Sequence, residues 1–192
     1  SVASGYYNIG YVYFAQGDYS KALEYFEEVL KIRLSVYGEN HSRVASVYND
    51  IGEIYSVQGD DFKALDYFKK SLKIVLSVYG ENHSQVSSIY DHIGEIYFAQ
   101  KDYSKALYYF EESLKIRLSL FGENHPEVAL SYYSIGSLYI IQGDKSKALN
   151  YYEKSLKIRL SVYGENHPLT KEIMDLINVA NSKVLQSPET TK

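Results

Sequence analysis

Residues 44–85 read VASVYNDIGEIYSVQGDDFKALDYFKKSLKIVLSVYGENHSQ. In the first half, Val44, Tyr48, Ile51, Gly52 and Tyr55 fall at i, i+4, i+7, i+8 and i+11, which is the spacing of one helix face. Gly59-Asp60 then breaks the pattern. In the second half, Ala64, Leu65, Phe68, Leu72 and Leu76 form another stripe, and Gly80 supplies a left-handed stop. The stretch reads as two antiparallel helices, over about 44–58 and about 63–79.

The rest of the chain repeats this stretch. Gly10, Gly52, Gly94 and Gly136 are 42 residues apart, and so are Gly38, Gly80, Gly122 and Gly164. Four units follow, at 2–43, 44–85, 86–127 and 128–169, and 20 of the 42 slots hold one residue in all four. A shared fold does not require such identity, so it marks recent duplication or deliberate design. Gly52 in mid-helix costs about 1 kcal/mol against Ala, which the close approach of the partner helix offsets. Each helix pair has more apolar surface than it hides alone, and stacking neighbours buries the rest. Most of the 22 tyrosines, among them Tyr48, Tyr55 and Tyr67, read as packing residues with the hydroxyl at the rim.

At the end of the chain, residues 168–184 read as a capping helix. Ile173, Ile177, Ala180 and Val184 are placed to cover the fourth unit, while Lys171, Glu172, Asp175, Asn178 and Ser182 are placed to face water. The array thus occupies 1–185, and 186–192 is expected to be a disordered polar tail. No equivalent cap precedes Val2, so an exposed apolar N-terminal edge and weak homo-association through it are expected.

Tyr48, Ile51-Gly52, Tyr55, Gly59, Ala64 and Phe68 fall in the order and spacing of the tetratricopeptide (TPR) signature, and the chain resembles that family. The 42-residue period, the long second helix with Ser71-Leu72-Lys73-Ile74, and the Tyr-Gly-Glu-Asn-His turn resemble the kinesin-light-chain type. The resemblance implies an all-α fold, a right-handed α-solenoid of antiparallel helix pairs. It also implies that the first helices line a concave groove in which extended or helical peptides bind. Two departures stand out: Lys101 at the inter-helix glycine of unit three, and Asp61-Phe62 in place of Tyr19-Ser20 and Tyr103-Ser104.

Four stripes of this sequence fall on that groove. They are Tyr7, Asn49, Asp91 and Tyr133; Asn8, Asp50, His92 and Ser134; Tyr11, Glu53, Glu95 and Ser137; and Phe14, Ser56, Phe98 and Ile140. These slots vary between units while the packing slots stay fixed, which is where specific information would be stored. The groove is expected to be acidic in its middle, at Asp50, Glu53, Asp91 and Glu95. Tyr7, Tyr11 and Phe14 form an aromatic patch at one end, and Tyr133 with Ile140 and Ile141 an apolar patch at the other. Asn8 and Asn49 offer amides to a peptide backbone, and His92 beside Asp91 is a candidate pH-responsive contact. These slots contain no Lys or Arg, which argues against a carboxylate clamp and against acidic cargo motifs. A basic or amphipathic segment with an apolar anchor complements the surface better.

Composition narrows the remaining classes. The chain has 192 residues, 20 Lys plus Arg against 24 Asp plus Glu, and a formal charge of -4, without the basic surplus of a nucleic-acid binder. It has no cysteine, which excludes disulfides, thiolate metal sites and a Cys nucleophile. No run is apolar enough for a membrane span and no signal peptide opens the chain, so a cytoplasmic location is expected. His41, His83, His125 and His167 are spread one per repeat, which suits a turn residue assisting the next helix better than a shared zinc. No phosphate-cradling loop, His-Glu-x-x-His helix or nucleophile elbow occurs, so neither catalysis nor a cofactor is expected. The function expected is a protein-interaction scaffold; the alternative is a structural spacer or self-associating module.

Overall fold

The computed structural model describes residues 2–182. The expected tail at 186–192, and Val184 of the capping stripe, lie outside the described residues. Among the described residues there are nine helices: α1 (Val2–Ala15), α2 (Tyr19–Tyr37), α3 (Ser42–Val57), α4 (Asp61–Tyr79), α5 (Ser84–Ala99), α6 (Tyr103–Phe121), α7 (Pro126–Gln142), α8 (Lys145–Tyr163) and α9 (Pro168–Ser182). The first eight pair as hairpins, α1 with α2 through α7 with α8. Each second helix also packs on the first helix of the next pair, α3 touches α5, and α9 lies on α8. The result is an all-α solenoid, and none of these helices is long and apolar enough to cross a membrane.

Two kinds of cap set the helix starts. Asp18, Asp60, Asp102 and Asp144 each accept from the backbone N–H three residues on, at 3.1–3.2 Å, so the turn that ends one helix also begins the next. His41, His83, His125 and His167 do the same for the odd-numbered helices: each Nδ1 accepts from the backbone N–H two residues on. Each imidazole also stacks on the aromatic ring that closes the preceding helix, Tyr37, Tyr79, Phe121 or Tyr163, at 4.2–4.5 Å. Lys101 takes the turn glycine's place with φ 62, a left-handed conformation costly for a residue with a Cβ.

Within each hairpin, a ring from the second helix lies against the mid-helix glycine of the first. A Cβ on Gly94 would come within 2.7 Å of the Phe110 ring, so only glycine lets the helices approach this closely. Tyr55 and Tyr67 stack at 5.6 Å, with the Lys63 ammonium 4.7 Å from the Tyr55 ring and 2.9 Å from Asp60. Every hairpin repeats this column of Asp, Lys and two tyrosines. At the far end, α9 buries Ile173 and Ala180 and exposes Lys171, Glu172, Asp175, Asn178 and Ser182.

Candidate functional site

The first helices lie side by side, and cross-links between them gather much of the expected site into two clusters. The first spans α1, α3 and α5. Tyr7 packs edge-on against Tyr11 and Phe26, at 5.0 and 5.6 Å. The Tyr11 hydroxyl donates to Asp50 Oδ1 at 2.8 Å. Asn49 Nδ2 donates to Glu53 Oε1 at 2.6 Å, and His92 Nε2 lies 3.4 Å from the same oxygen. His92 is stacked flat on Phe68, with centroids 5.0 Å apart. The second cluster joins α5 to α7, where Glu95, Phe98, Tyr133 and Ser137 line a cavity of about 210 Å³. Ser137 Oγ also hydrogen-bonds the Tyr152 hydroxyl at 3.2 Å, and the Tyr133 hydroxyl donates to Glu172 at 3.0 Å.

Other expected residues join neither cluster. Phe14 packs against Tyr19 at 5.8 Å, and Asn8 and Ile140 are exposed. Asp91 leaves both clusters for a buried arginine. Arg117 Nη1 is 2.6 Å from Asp91 Oδ2 and Nη2 is 2.9 Å from Glu127 Oε2, while Nη1 also donates to Ser131 Oγ at 2.8 Å. The guanidinium neutralises Asp91, so the acidic middle expected from the stripes is reduced to Glu53, Glu95 and the enclosed Asp50.

Arg117 belongs to a slot that the first-helix stripes do not include. Arg33 and Arg159 occupy it in units one and four. Arg33 lies 4.5 Å over the Tyr7 ring and donates to the Arg43 carbonyl and to Ser46 Oγ. Arg159 lies 5.0 Å over the Tyr133 ring and donates to the Leu169 carbonyl, with Glu172 at 3.5 Å. In unit two the residue is Val75, and its neighbours in the corresponding slots are the neutral amides Asn49 and Gln85. Basic residues of a second helix ordinarily form an outer, solvated face. That holds for Lys31 or Lys115, but Arg117 and Arg159 are only 3 and 4 % exposed. The sequence signal is Val75 standing where the other three units have Arg, since a solvated position has no reason to prefer those two.

Burial governs the electrostatics. Asp50 is 7 % exposed, and desolvation pushes its carboxyl up to about 6 despite the Tyr7 and Tyr11 hydroxyls on that side. Burial, then Tyr7 and Asp50, raise the Tyr11 phenol as well. At His92 burial opposes the charged form, but the Glu53 contact, with Glu95 and Asp91 nearby, holds the imidazole above its ordinary value. Desolvation raises the Glu95 carboxyl, with Asp91 and Glu53 adding to it. The first cluster therefore sets the Glu53–His92 pair beside the buried Asp50, an acidic surface able to attract a donor or a cation.

Three overlapping matches to the Tetratricopeptide repeat family model cover residues 1–77, 43–119 and 85–161. No curated protein matches the chain. Among solved structures, BtubC (BKLC) from P. vanneervenii superposes with a TM-score of 0.76 at 20% identity, over 96% of this chain and 81% of that one. A kinesin-light-chain-type protein from Podosopora anserina with nearly identical TPR-like repeats gives 0.73 at 15% identity, over 96% and 97%. The apo form of RapI gives 0.80 at 18% identity, and the match spans 96% of this chain but 65% of RapI. At these identities the likeness is one of fold.

Proposed function

The chain belongs to the tetratricopeptide repeat family, and from that premise we propose that it is a protein-interaction scaffold whose concave face holds a peptide or helical segment. The observation that carries this reading is where the variation falls. Residues that differ between the repeated units meet on the first-helix face, as Tyr11 meets Asp50 and Glu53 meets His92. Glu53, Glu95 and the partly ionised Asp50 favour a basic or amphipathic partner, and the cavity beside Phe98 and Tyr133 takes an apolar anchor. The reading assigns the chain no catalytic step. A peptide library screened at low and high salt tests it. Basic peptides with an apolar anchor should be selected, and the Glu53→Lys/Glu95→Lys variant should bind them at least about tenfold more weakly. Selection of acidic peptides, or indifference to that charge reversal, overturns it.

A second reading, self-association, rests on α1. Val2, Ile9 and Val12 are 67, 39 and 55 % exposed along one helix. Sedimentation across a concentration series should show association that Ile9→Ser/Val12→Ser abolishes, and a monomer at all concentrations would remove this reading.

A further inference from the structure

Unit two departs from its neighbours at the arginine slot, and the departure leaves a cavity. Around the short Val75 side chain, Asn49, Asp50, Gln85 and Ser88 help to enclose about 100 Å³ between α3, α4 and α5. Asn49 and Gln85 stand in the slots that Asp91 and Glu127 fill around Arg117, so this is the place a guanidinium occupies in the next unit. Two of the lining residues carry unpaired acceptors. Asp50, more than nine-tenths buried, has no hydrogen-bond partner at Oδ2, and neither does Gln85 Oε1. Such buried acceptors are unfavourable until a donor reaches them.

Both groups accept, so the complement is a donor; one is a carboxylate, so the complement is a cation. A guanidinium brings five N–H donors in a planar fork and satisfies separated acceptors at once, whereas an ammonium offers one point charge. The fold already admits a guanidinium here, since Arg33, Arg117 and Arg159 deliver one from inside the chain. We propose that the cavity over Val75 receives the guanidinium of an arginine on the bound segment, so that the partner supplies in unit two what the other units supply themselves. The proposal rests on the groove reading above and specifies the residue that the groove selects.

The test uses the full chain and N-acetyl-arginine methylamide as probe, followed by NMR at the side-chain amides of Asn49 and Gln85. The arginine probe should give saturable shifts there, while the matching citrulline compound, equal in shape but uncharged, should bind at least about tenfold more weakly. Val75→Arg fills the cavity from within and should abolish the shifts. Asp50→Asn keeps the shape, removes the charge and should weaken the probe about tenfold, so the proposal stays testable if the first variant does not fold. No saturable shift with arginine, or equal binding by citrulline or by Val75→Arg, overturns the proposal. A basic peptide that docks equally on the native chain and on Val75→Arg also overturns it, while leaving the groove reading in place. Arginine-specific shifts with the probe, on a chain that binds no peptide of the library, support the cavity and remove the groove reading.

Discussion

Replacing Arg117 by valine makes unit three resemble unit two at one position only, and the structure fixes what that should cost. The Arg117 side chain is 4 % exposed and holds Asp91 at 2.6 Å and Glu127 at 2.9 Å, their side chains being 19 and 46 % exposed. Removing one partner of a buried pair leaves an uncompensated charge and costs about 3–5 kcal/mol. Glu127 keeps much of its hydration, so the penalty falls mainly on Asp91 and lies near the lower figure, about 3 kcal/mol. Arg117→Val/Asp91→Asn/Glu127→Gln completes the copy of unit two and leaves no carboxylate stranded. We expect it to return to within about 1 kcal/mol of the native chain, as replacement of whole buried ion pairs often does. Urea unfolding measures the totals. Amide hydrogen exchange in α5, α6 and α7 shows whether the loss is local, as it should be where each repeat touches only its neighbours. A single variant that loses under about 1 kcal/mol, or a triple variant no more stable than the single one, refutes the reasoning.

Asp50→Asn should stabilise the chain at neutral pH. The folded-state pKa is raised, so the group favours folding below its ordinary value of 3.8 and that contribution is lost as pH rises through about 6. The full difference is about 3 kcal/mol. Urea midpoints should therefore fall between pH 4 and 6 in the native chain more than in the variant, and parallel profiles would contradict the assignment. Gly94→Ala places a Cβ 2.7 Å from Phe110 Cε1 and should cost about 1–3 kcal/mol, whereas Gly10→Ala, at 3.2 Å from Phe26, should be close to neutral by thermal melting. Lys101→Gly restores the residue that the other three units use at this left-handed turn, and should raise stability by about 1 kcal/mol in urea titration.

The helices were legible because burial imposes a period on the sequence. Gly52 against Phe68 and the placement of His83 before α5 followed from the same local rules, although the imidazole's capping bond was visible only in the structure. The candidate site was legible in part. Glu53 and His92 were expected on one face and meet there, because residues 39 apart on neighbouring first helices come into register. Asp91 was expected there too, but its charge is met from α6. Contacts across the hairpin depend on how deeply a long side chain reaches, which no single-helix stripe encodes. The joint change of Arg117, Asp91 and Glu127 into Val75, Asn49 and Gln85 was present in the repeats and becomes meaningful only once those slots are known to touch.

The buried arginines bear on how such a chain grows. Arg117 finds both of its close carboxylates inside its own 42 residues, and what it takes from the following unit is one neutral hydroxyl, that of Ser131. Arg33 likewise draws on Tyr7 and the Arg43 carbonyl of its own unit and on the Ser46 hydroxyl of the next. The Arg117 charge is thus settled within its module, and at the joints between units one and two and between units three and four these arginines trade only uncharged groups. Copying a module of this kind carries the Arg117-type ion pairs along whole, so tandem expansion of the gene leaves that buried network intact.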